Sequence, residues 1–239
     1  MTVLVVGASG ATGRLVVERL LERGLSVQII VRSEHALPER VLTHKRLSVV
    51  HGTVLDLGDT ELAEAVRECQ AVVSCLGHNM SLKGMYGHPR WLVRDTARRL
   101  CEIIERGNPE QAVKYILMNT AGNSNRDIAE PVSLGHRLVV GLIRLLLPPY
   151  RDNEGASDYF RSVIGQDHGK IEWVALRPDT LIDGEEVTAY EVYPSPIRSA
   201  IFNPGTSSRI NVAHFMARLV EEATTWKEWK GQMPVLYNR

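Results

Sequence analysis

The sequence predicts an α/β protein in which helices cover both faces of a doubly wound parallel sheet. Short apolar runs alternate with segments whose apolar residues recur at helical spacing, and this alternation is typical of βαβ units. The first apolar run leads directly into a glycine-rich turn, which favours the same class of fold. Neither an internal repeat nor a linker is recognisable, so we expect a single domain over residues 1–239.

Six apolar runs predict strands, because each is short, continuous and bounded by turn residues or helical patterns. The predicted strands cover residues 3–6, 27–31, 47–50, 71–76, 113–118 and 171–176. Helices are predicted over residues 12–23, 59–68, 90–106 and 211–223, with Gly24 ending the first and Asn211 capping the last. Residues 179–210 are rich in loop residues, and we expect them to form a small substrate-binding region over the carboxyl ends of the strands.

Residues 132–147 are strongly apolar and are interrupted only by His136, Arg137 and Arg144. A helix of this length is about 24 Å long, which is too short to span a bilayer comfortably. Three placements remain open. Packing in the core is expected first, with a lid over the active site and a dimer contact as the alternatives.

Composition and charge exclude several classes of protein. The chain has 28 basic and 28 acidic side chains, whereas a nucleic-acid binder normally has a basic excess. We expect Cys69, Cys75 and Cys101 to be free, buried thiols of a cytoplasmic protein, because their number is odd. No apolar run is as long as a membrane span, and no histidine pair has metal-ligand spacing. We therefore expect no nucleic-acid partner, no membrane span and no metal, in a monomer or homodimer.

A glycine loop joins the first predicted strand to the first predicted helix. Gly7 permits a tight turn, Gly10 lets the backbone approach a phosphate, and Gly13 lets helix and strand pack closely. Free N–H groups and the helix dipole at this position bind the pyrophosphate of a dinucleotide. The predicted pyrophosphate site is made of Gly7, Ser9, Gly10, Ala11, Thr12 and Gly13.

The residue at the end of the second strand predicts which dinucleotide is bound. This position meets the adenosine ribose, and an acid there selects NAD. The sequence has Arg32 followed by Ser33, and a guanidinium can pair with the 2′-phosphate of NADP. Glu34 is the contrary signal. We expect NADP as cofactor, with NAD less favoured.

These motifs resemble the atypical short-chain dehydrogenase/reductase superfamily, which has a Rossmann fold. The glycine spacing of residues 7–13 carries the resemblance, together with residues 31–33, residues 52–55 and the segment 208–216. The branch that is most similar contains biliverdin reductase B, a flavin reductase, and the NmrA-like NAD(P)H-binding proteins.

The resemblance implies further cofactor contacts. Thr53 and Val54 would meet the adenine, although relatives usually have Asp in place of Thr53. Cys75, Leu76 and Gly77 would pass beside the nicotinamide ribose. Thr120, at the end of the fifth strand, would lie near the nicotinamide and is the candidate catalytic residue; Arg177 and Pro178 would flank the carboxamide.

The Tyr-x-x-x-Lys pair, which normally supplies the general acid in this superfamily, is missing from the sequence. Flavins and quinones accept hydride readily, so a site without a dedicated acid suits them. Tyr150, Tyr159, Tyr190 and Tyr193 remain possible donors, although packing is the expected role of each. His78 follows Gly77 at the mouth of the site, and we expect a solvated loop histidine there.

Two functions remain open. The first is an NADPH-dependent reductase that transfers hydride to a small-molecule acceptor such as a flavin, a quinone or a similar conjugated compound. The second is a non-catalytic NAD(P)-binding regulator of the NmrA type, which senses redox state through a partner protein. The missing acid is compatible with both.

Overall fold

The computed structural model describes residues 1–78, 81, 86–130 and 133–239. Its strands are β1 (Thr2–Val6), β2 (Ser26–Val31), β3 (Leu47–His51), β4 (Cys69–Ser74), β5 (Val113–Met118), β6 (Ile171–Pro178), β7 (Thr180–Ile182), β8 (Tyr190–Tyr193), β9 (Thr206–Ser208) and β10 (Val235–Asn238). Its described helices are α1 (Ala11–Glu22), α2 (Glu39–Leu42), α3 (Asp59–Val66), α4 (Leu92–Gly107), α5 (Leu134–Leu146), α6 (Pro148–Tyr159), α7 (Arg209–Glu221) and α8 (Ala223–Trp229), and a π-helical turn spans Phe160–Ile164.

Eight strands form one sheet in the order β3-β2-β1-β4-β5-β6-β10-β8. All neighbouring pairs are parallel except β10 and β8. The chain runs outward from β1 to β3 and then returns to place β4 on the other side of β1, so the strand order reverses between β1 and β4. Ligands of open α/β sheets bind at the carboxyl ends of the strands where the order reverses. The predicted doubly wound parallel fold is confirmed.

Two apolar layers hold helices to the two faces of the sheet. Successive side chains of β1 point to opposite faces, so that Val3 and Val5 join one core while Leu4 and Val6 join the other. The first core packs against α1, α7 and α8, and the second packs against α3, α4 and α6. The sheet is therefore packed between helices on both of its faces.

Several elements of the chain were not predicted, among them α2, α6, α8 and the π-helical turn. Strands β8 and β10 extend the sheet beyond β6, and the short β7 and β9 form a separate parallel pair within the region expected to be loop. Helix α6 begins at Pro148, two residues after the end of α5. Proline is tolerated there because the N–H of the first helical residue has no partner within the helix.

The predicted cap of the last large helix was wrong. Helix α7 begins at Arg209, and the Ser208 side chain accepts a hydrogen bond from the backbone N–H of Asn211. Asn211 is fully buried, and its amide instead contacts Thr188 and Asn238. Serine and asparagine can both cap a helix, and the path of the backbone into the helix determines which of the two is the N-cap residue.

The expectation that residues 132–147 pack in the core was also wrong. Residues 131 and 132 lie outside the described residues, but α5 is described completely and only His136 is buried in it. Leucines of the outward face are between 54% and 77% exposed. Helical periodicity identifies an apolar face, but it does not say what that face meets.

Candidate functional site

The glycine loop takes the conformation that the sequence predicts. Gly7 has φ +77°, and a Cβ there would lie 2.6 Å from the carbonyl carbon of Cys75. A Cβ on Gly13 would collide with the Gly7 carbonyl oxygen. Gly10 is different, because its added Cβ would meet only the Gly7 oxygen, at 3.2 Å, and otherwise faces open space. Gly7 and Gly13 are thus required by the fold, whereas Gly10 leaves room for a ligand.

Helix α1 begins beside this open space without a side-chain cap. Gly10 is the N-cap residue, and the first turn contains no acidic side chain. The first N–H groups of a helix have no partner within it, and together with the helix dipole they favour a bound anion. Ser9 and Ala11 are exposed, and Thr12 and Gly13 are buried. The start of α1 therefore has the properties of a phosphate site.

Two adjoining cavities of about 470 and 450 Å³ lie along the carboxyl ends of β1, β2 and β4. They share Gly7, Ser9, Arg32, Leu76, His88, Pro89 and Leu92. The first cavity extends to Thr53 and Val54, and the second extends to Gly10, Cys75 and Gly77. The structure thus brings most of the predicted cofactor residues to one cleft.

Arg32 is exposed at the mouth of both cavities. Across the described part of the chain, its guanidinium has no hydrogen bond or ion pair. Glu34, which argued against a 2′-phosphate site, is engaged elsewhere, because its carboxylate lies 2.9 Å from His51 Nε2. Ser33 Oγ accepts only a long hydrogen bond of 3.4 Å from the His35 N–H. Arg32 is therefore the cation at this end of the cleft, and the Glu34 carboxylate is within hydrogen-bonding distance of His51.

The loop after β3 lines the other end of the first cavity. The Thr53 hydroxyl donates to Asp56 Oδ2 at 2.6 Å, so it is already engaged within the loop. Asp56 also lines the cavity, and it was not predicted from the sequence. Arg99 on α4 donates to the carbonyl oxygens of Val54 and Leu57 and holds the loop against the helix.

The residues after β4 line the second cavity. Cys75 is buried, and desolvation raises the pKa of its thiol to about 12, so the thiol stays neutral and unreactive at ordinary pH. Cys69, Cys75 and Cys101 are all free and buried, as predicted. Leu76 and Gly77 present mainly backbone and apolar surface to the cavity.

His78 was expected to be solvated, and that prediction was wrong. Its side chain is 5% exposed, and Nε2 lies 2.7 Å from the fully buried carboxylate of Asp152. The same carboxylate accepts hydrogen bonds from the backbone N–H groups of Val93 and Arg94 in the first turn of α4. Asp152 thus caps α4 from a distance and fixes the loop that follows β4. Its position on α6, 74 residues away, gave no local signal.

Thr120 follows β5 and begins a turn, in which its carbonyl oxygen accepts a hydrogen bond from the Asn123 N–H. Its backbone N–H donates to Asn119 Oδ1 at 2.8 Å, and its hydroxyl oxygen accepts from the Gly122 N–H at 3.3 Å. The next residue, Ala121, lines a third cavity of about 210 Å³ between the strand ends and the segment 196–200. The catalytic role of Thr120 stays a prediction.

The four tyrosines considered as acids are engaged elsewhere. Tyr150 donates to the Gly122 carbonyl at 2.6 Å, and burial raises its pKa to about 12. Burial also raises the pKa values of Tyr159 and Tyr190, while a hydrogen bond to Glu191 raises that of Tyr193. None of the four lines either cavity of the cleft as the described residues form it.

Arg177 does not reach the cleft. Its side chain is fully buried and donates to the carbonyl oxygens of Met233 and Asn123 at 2.6 and 2.8 Å. Nη2 lies 2.7 Å from the buried Glu130 carboxylate, without the alignment of a hydrogen bond. Pro178 accepts a backbone hydrogen bond from Ala121. The Arg177 side chain, which was expected to flank the carboxamide, is thus surrounded by protein. Its hydrogen bonds join β6 to the turn after β5 and to the segment before β10.

In the part of the chain that the structure describes, no helix is long and apolar enough to cross a membrane. The same residues contain no group of three or more His, Cys, Asp or Glu side chains placed to hold a metal ion.

Comparisons with known proteins agree with this geometry. Residues 7–223 match the model of a family described as NAD(P)H-binding. No curated protein matches the sequence. The fold is similar to that of a short-chain dehydrogenase/reductase of Veillonella parvula in complex with NADP, with a TM-score of 0.69 and 17% identity over 99% of this chain and 94% of the other.

Two further structures share the fold. ChuY, an anaerobillin reductase of Escherichia coli, has a TM-score of 0.67 and 17% identity, covering 100% of this chain and 97% of ChuY. A candidate NADH-flavin reductase of Streptococcus pneumoniae has a TM-score of 0.66 and 16% identity, covering 100% of both chains. The three structures share the fold of this chain, and the predicted membership of an NAD(P)H-binding family is confirmed by the family match. From its sequence match and its fold, the chain belongs to the NAD(P)H-binding family.

Proposed function

We propose that the protein is an NADPH-dependent reductase that transfers hydride to a flavin, a quinone or a similar conjugated acceptor. The observation that carries the NADPH preference is Arg32, an exposed guanidinium that lines both cavities and has no partner among the described residues. The acid that could oppose it, Glu34, pairs with His51. A phosphate with two negative charges is the natural partner for a cation in this position.

The residues of the cleft fit a dinucleotide. The open space over Gly10 and the uncapped start of α1 suit a pyrophosphate, which would be held by backbone N–H groups. The cavity beside Thr53, Val54 and Asp56 suits an adenine, with Asp56 able to accept from its exocyclic amine. Cys75, Leu76 and Gly77 form the wall beside which a nicotinamide ribose would lie.

A bound nicotinamide coenzyme supplies the hydride. The chain's own residues then bind and orient the coenzyme and the acceptor, and they form no covalent bond with either. The backbone of Gly7 packs closely against that of Cys75, and the Asp152–His78 contact fixes the loop on the side where the nicotinamide would lie. A conjugated acceptor spreads the negative charge that it gains, so solvent can protonate it without a positioned acid. This requirement matches a site whose tyrosines are engaged elsewhere.

The coenzyme preference is tested by replacing Arg32 with alanine. We expect Arg32→Ala to weaken NADPH binding roughly 10- to 150-fold, because a hydrogen bond to a charged group contributes about 1.5–3 kcal/mol. NADH binding should change little. Isothermal titration with both coenzymes measures the two effects. Arg40→Ala, which removes an exposed arginine paired with Glu18, is the matched control. Equal affinity of the wild type for both coenzymes would refute the proposal.

The absence of a dedicated acid is tested on the tyrosines. Tyr150→Phe, Tyr159→Phe, Tyr190→Phe and Tyr193→Phe should each keep turnover within a few-fold of the wild type, because positioned acid catalysis is worth about 10²–10⁴-fold. Thr120→Val keeps the shape of the side chain and removes the hydroxyl, and it should lower turnover about 2- to 10-fold, the value of one neutral hydrogen bond. The measurement is NADPH oxidation with a panel of flavins, quinones and biliverdin.

A thousandfold loss in one tyrosine variant, with folding and NADPH affinity unchanged, would identify an acid and contradict this mechanism. Tight NADPH binding by the wild type without turnover of any acceptor would instead support the NmrA-type regulator.

A further inference from the structure

The outward side of α5 exposes a row of leucines, which we call the leucine face: Leu134, Leu138, Leu142, Leu145 and Leu146. Their exposed fractions are 77%, 76%, 56%, 77% and 54%. Residues three and four apart lie on the same side of a helix, so these side chains form one apolar strip. Single exposed leucines are ordinary on protein surfaces, but a contiguous apolar strip marks a surface that meets a partner.

The apolar surface continues from α5 onto the segment 196–202. Phe202 is 61% exposed and lies next to the amino end of α5, where a Cβ on Gly135 would be 3.6 Å from its ring. Ile197 is 56% exposed. His136 Nδ1 lies 3.0 Å from Ser199 Oγ and fixes the helix to this segment. The leucine face and its extension thus form one surface, held in place by a buried contact.

The charges around this surface are mostly positive. Between Ser133 and Arg151 the sequence contains three arginines, Arg137, Arg144 and Arg151, and no aspartate or glutamate. On α6, Asp152 is fully buried, and Glu154 is 14% exposed and shared by Arg144 and Arg126. Arg126 is also paired with Asp158. Arg137 has no ion pair with any described residue and is exposed.

The charge decides between two occupants of the leucine face. A second copy of the chain docking by the same face would meet it through a twofold axis, so that the same patch of each copy faces the other. Every Asp, Glu, Lys or Arg side chain of α5 is an arginine. The arginines of α5 would then oppose each other with no exposed acid on the helix to offset them. An anionic lipid surface has the complementary charge, and it accepts leucines at the boundary between headgroups and acyl chains.

The length of the helix agrees with a position in the plane of a bilayer. Its 13 residues make a rod of about 20 Å, which is shorter than the roughly 30 Å of a hydrocarbon core. We propose that the leucine face of α5 docks the protein onto the surface of an anionic lipid bilayer. The docking is independent of the coenzyme and acceptor proposed above, and its test needs neither.

The test is flotation of the full chain with lipid vesicles. We expect the wild type to float with vesicles of phosphatidylcholine and phosphatidylglycerol, and at least tenfold less with phosphatidylcholine alone. The double variant Leu138→Ser/Leu145→Ser should bind the mixed vesicles at least tenfold more weakly. Both positions are exposed, so thermal unfolding should be unchanged. Val163→Ser, which removes an equally exposed apolar side chain outside the leucine face, should bind like the wild type.

Electrostatic attraction predicts a second effect. Arg137→Gln should weaken binding to the mixed vesicles several-fold, and added salt should do the same, because salt screens exposed charges. Two results would overturn the proposal. One is a wild type that stays with the soluble fraction in the presence of mixed vesicles. The other is a dimer in vesicle-free solution that Leu138→Ser/Leu145→Ser dissociates, which would make a second copy the occupant of the face.

Discussion

Replacing Gly10 with valine is expected to lower the affinity for NADPH at least a hundredfold while the chain stays folded. The branched side chain would fill the open space above the glycine loop, where the pyrophosphate is proposed to lie. Loss of two charge-assisted contacts to backbone N–H groups, at about 1.5–3 kcal/mol each, corresponds to roughly a hundred- to ten-thousandfold in affinity. Titration of the purified variant with NADPH, beside a thermal unfolding curve, measures both parts of the expectation.

The neighbouring glycines supply the contrast for this experiment. Gly10 has φ −76°, which any residue adopts, and an added Cβ there needs only a shift of a few tenths of an ångström from the Gly7 oxygen. Gly7→Ala forces a side chain onto a residue with φ +77° and into the backbone of Cys75, so this variant should lose stability itself. A folded Gly10→Val protein that binds NADPH like the wild type would show that the phosphates lie elsewhere.

The fold could be predicted because its signals are local. Each buried parallel strand is a continuous apolar run. The glycines of the first turn are recognisable in the sequence because glycine adopts backbone conformations that other residues avoid. The roles predicted for Gly7 and Gly13 agree with the contacts that an added Cβ would make there, whereas the phosphate contact of Gly10 stays a prediction. The sequence also predicts that Arg32 lies at the end of β2, because it directly follows the apolar run that forms this strand.

The interior of the site could not be predicted, because it is made by pairs that are distant in sequence. Asp152 reaches His78 across 74 residues, and Arg99 reaches the Val54 carbonyl across 45. A single sequence contains no periodic or motif signal for either contact. The outward placement of α5 is a similar case, since an apolar helical face looks the same whether it meets the core, a partner or a lipid surface.

Arg177 illustrates how a residue at the expected place can have a different role. It stands at the end of β6, beside the strand ends where ligands bind, yet its guanidinium points into the protein. There it meets Glu130 and three carbonyl oxygens, those of Met233, Asn123 and Pro194. These partners belong to separate segments after β5, after β8 and before β10. The arginine therefore organises the turns that surround the acceptor side of the sheet.

Removing this guanidinium should be among the most destabilising single changes in the chain. Arg177→Met leaves the buried Glu130 carboxylate without its cation, and breaking a buried pair in this way costs about 3–5 kcal/mol. For a chain of this size we expect a fall in Tm of roughly 6–20 °C. Calorimetry measures the shift. Arg98→Ala, which removes an exposed pair with Glu102, is the control and should leave the Tm nearly unchanged.

The double variant Arg177→Met/Glu130→Leu separates charge from packing. Replacing both members of a buried pair with apolar side chains is often close to neutral, so the double variant should recover much of the lost stability. NADPH affinity, measured well below the lowered Tm, should stay near that of the wild type in both variants, because the guanidinium is fully buried. An unchanged Tm together with a large loss of NADPH affinity would contradict this role and return Arg177 to the carboxamide site.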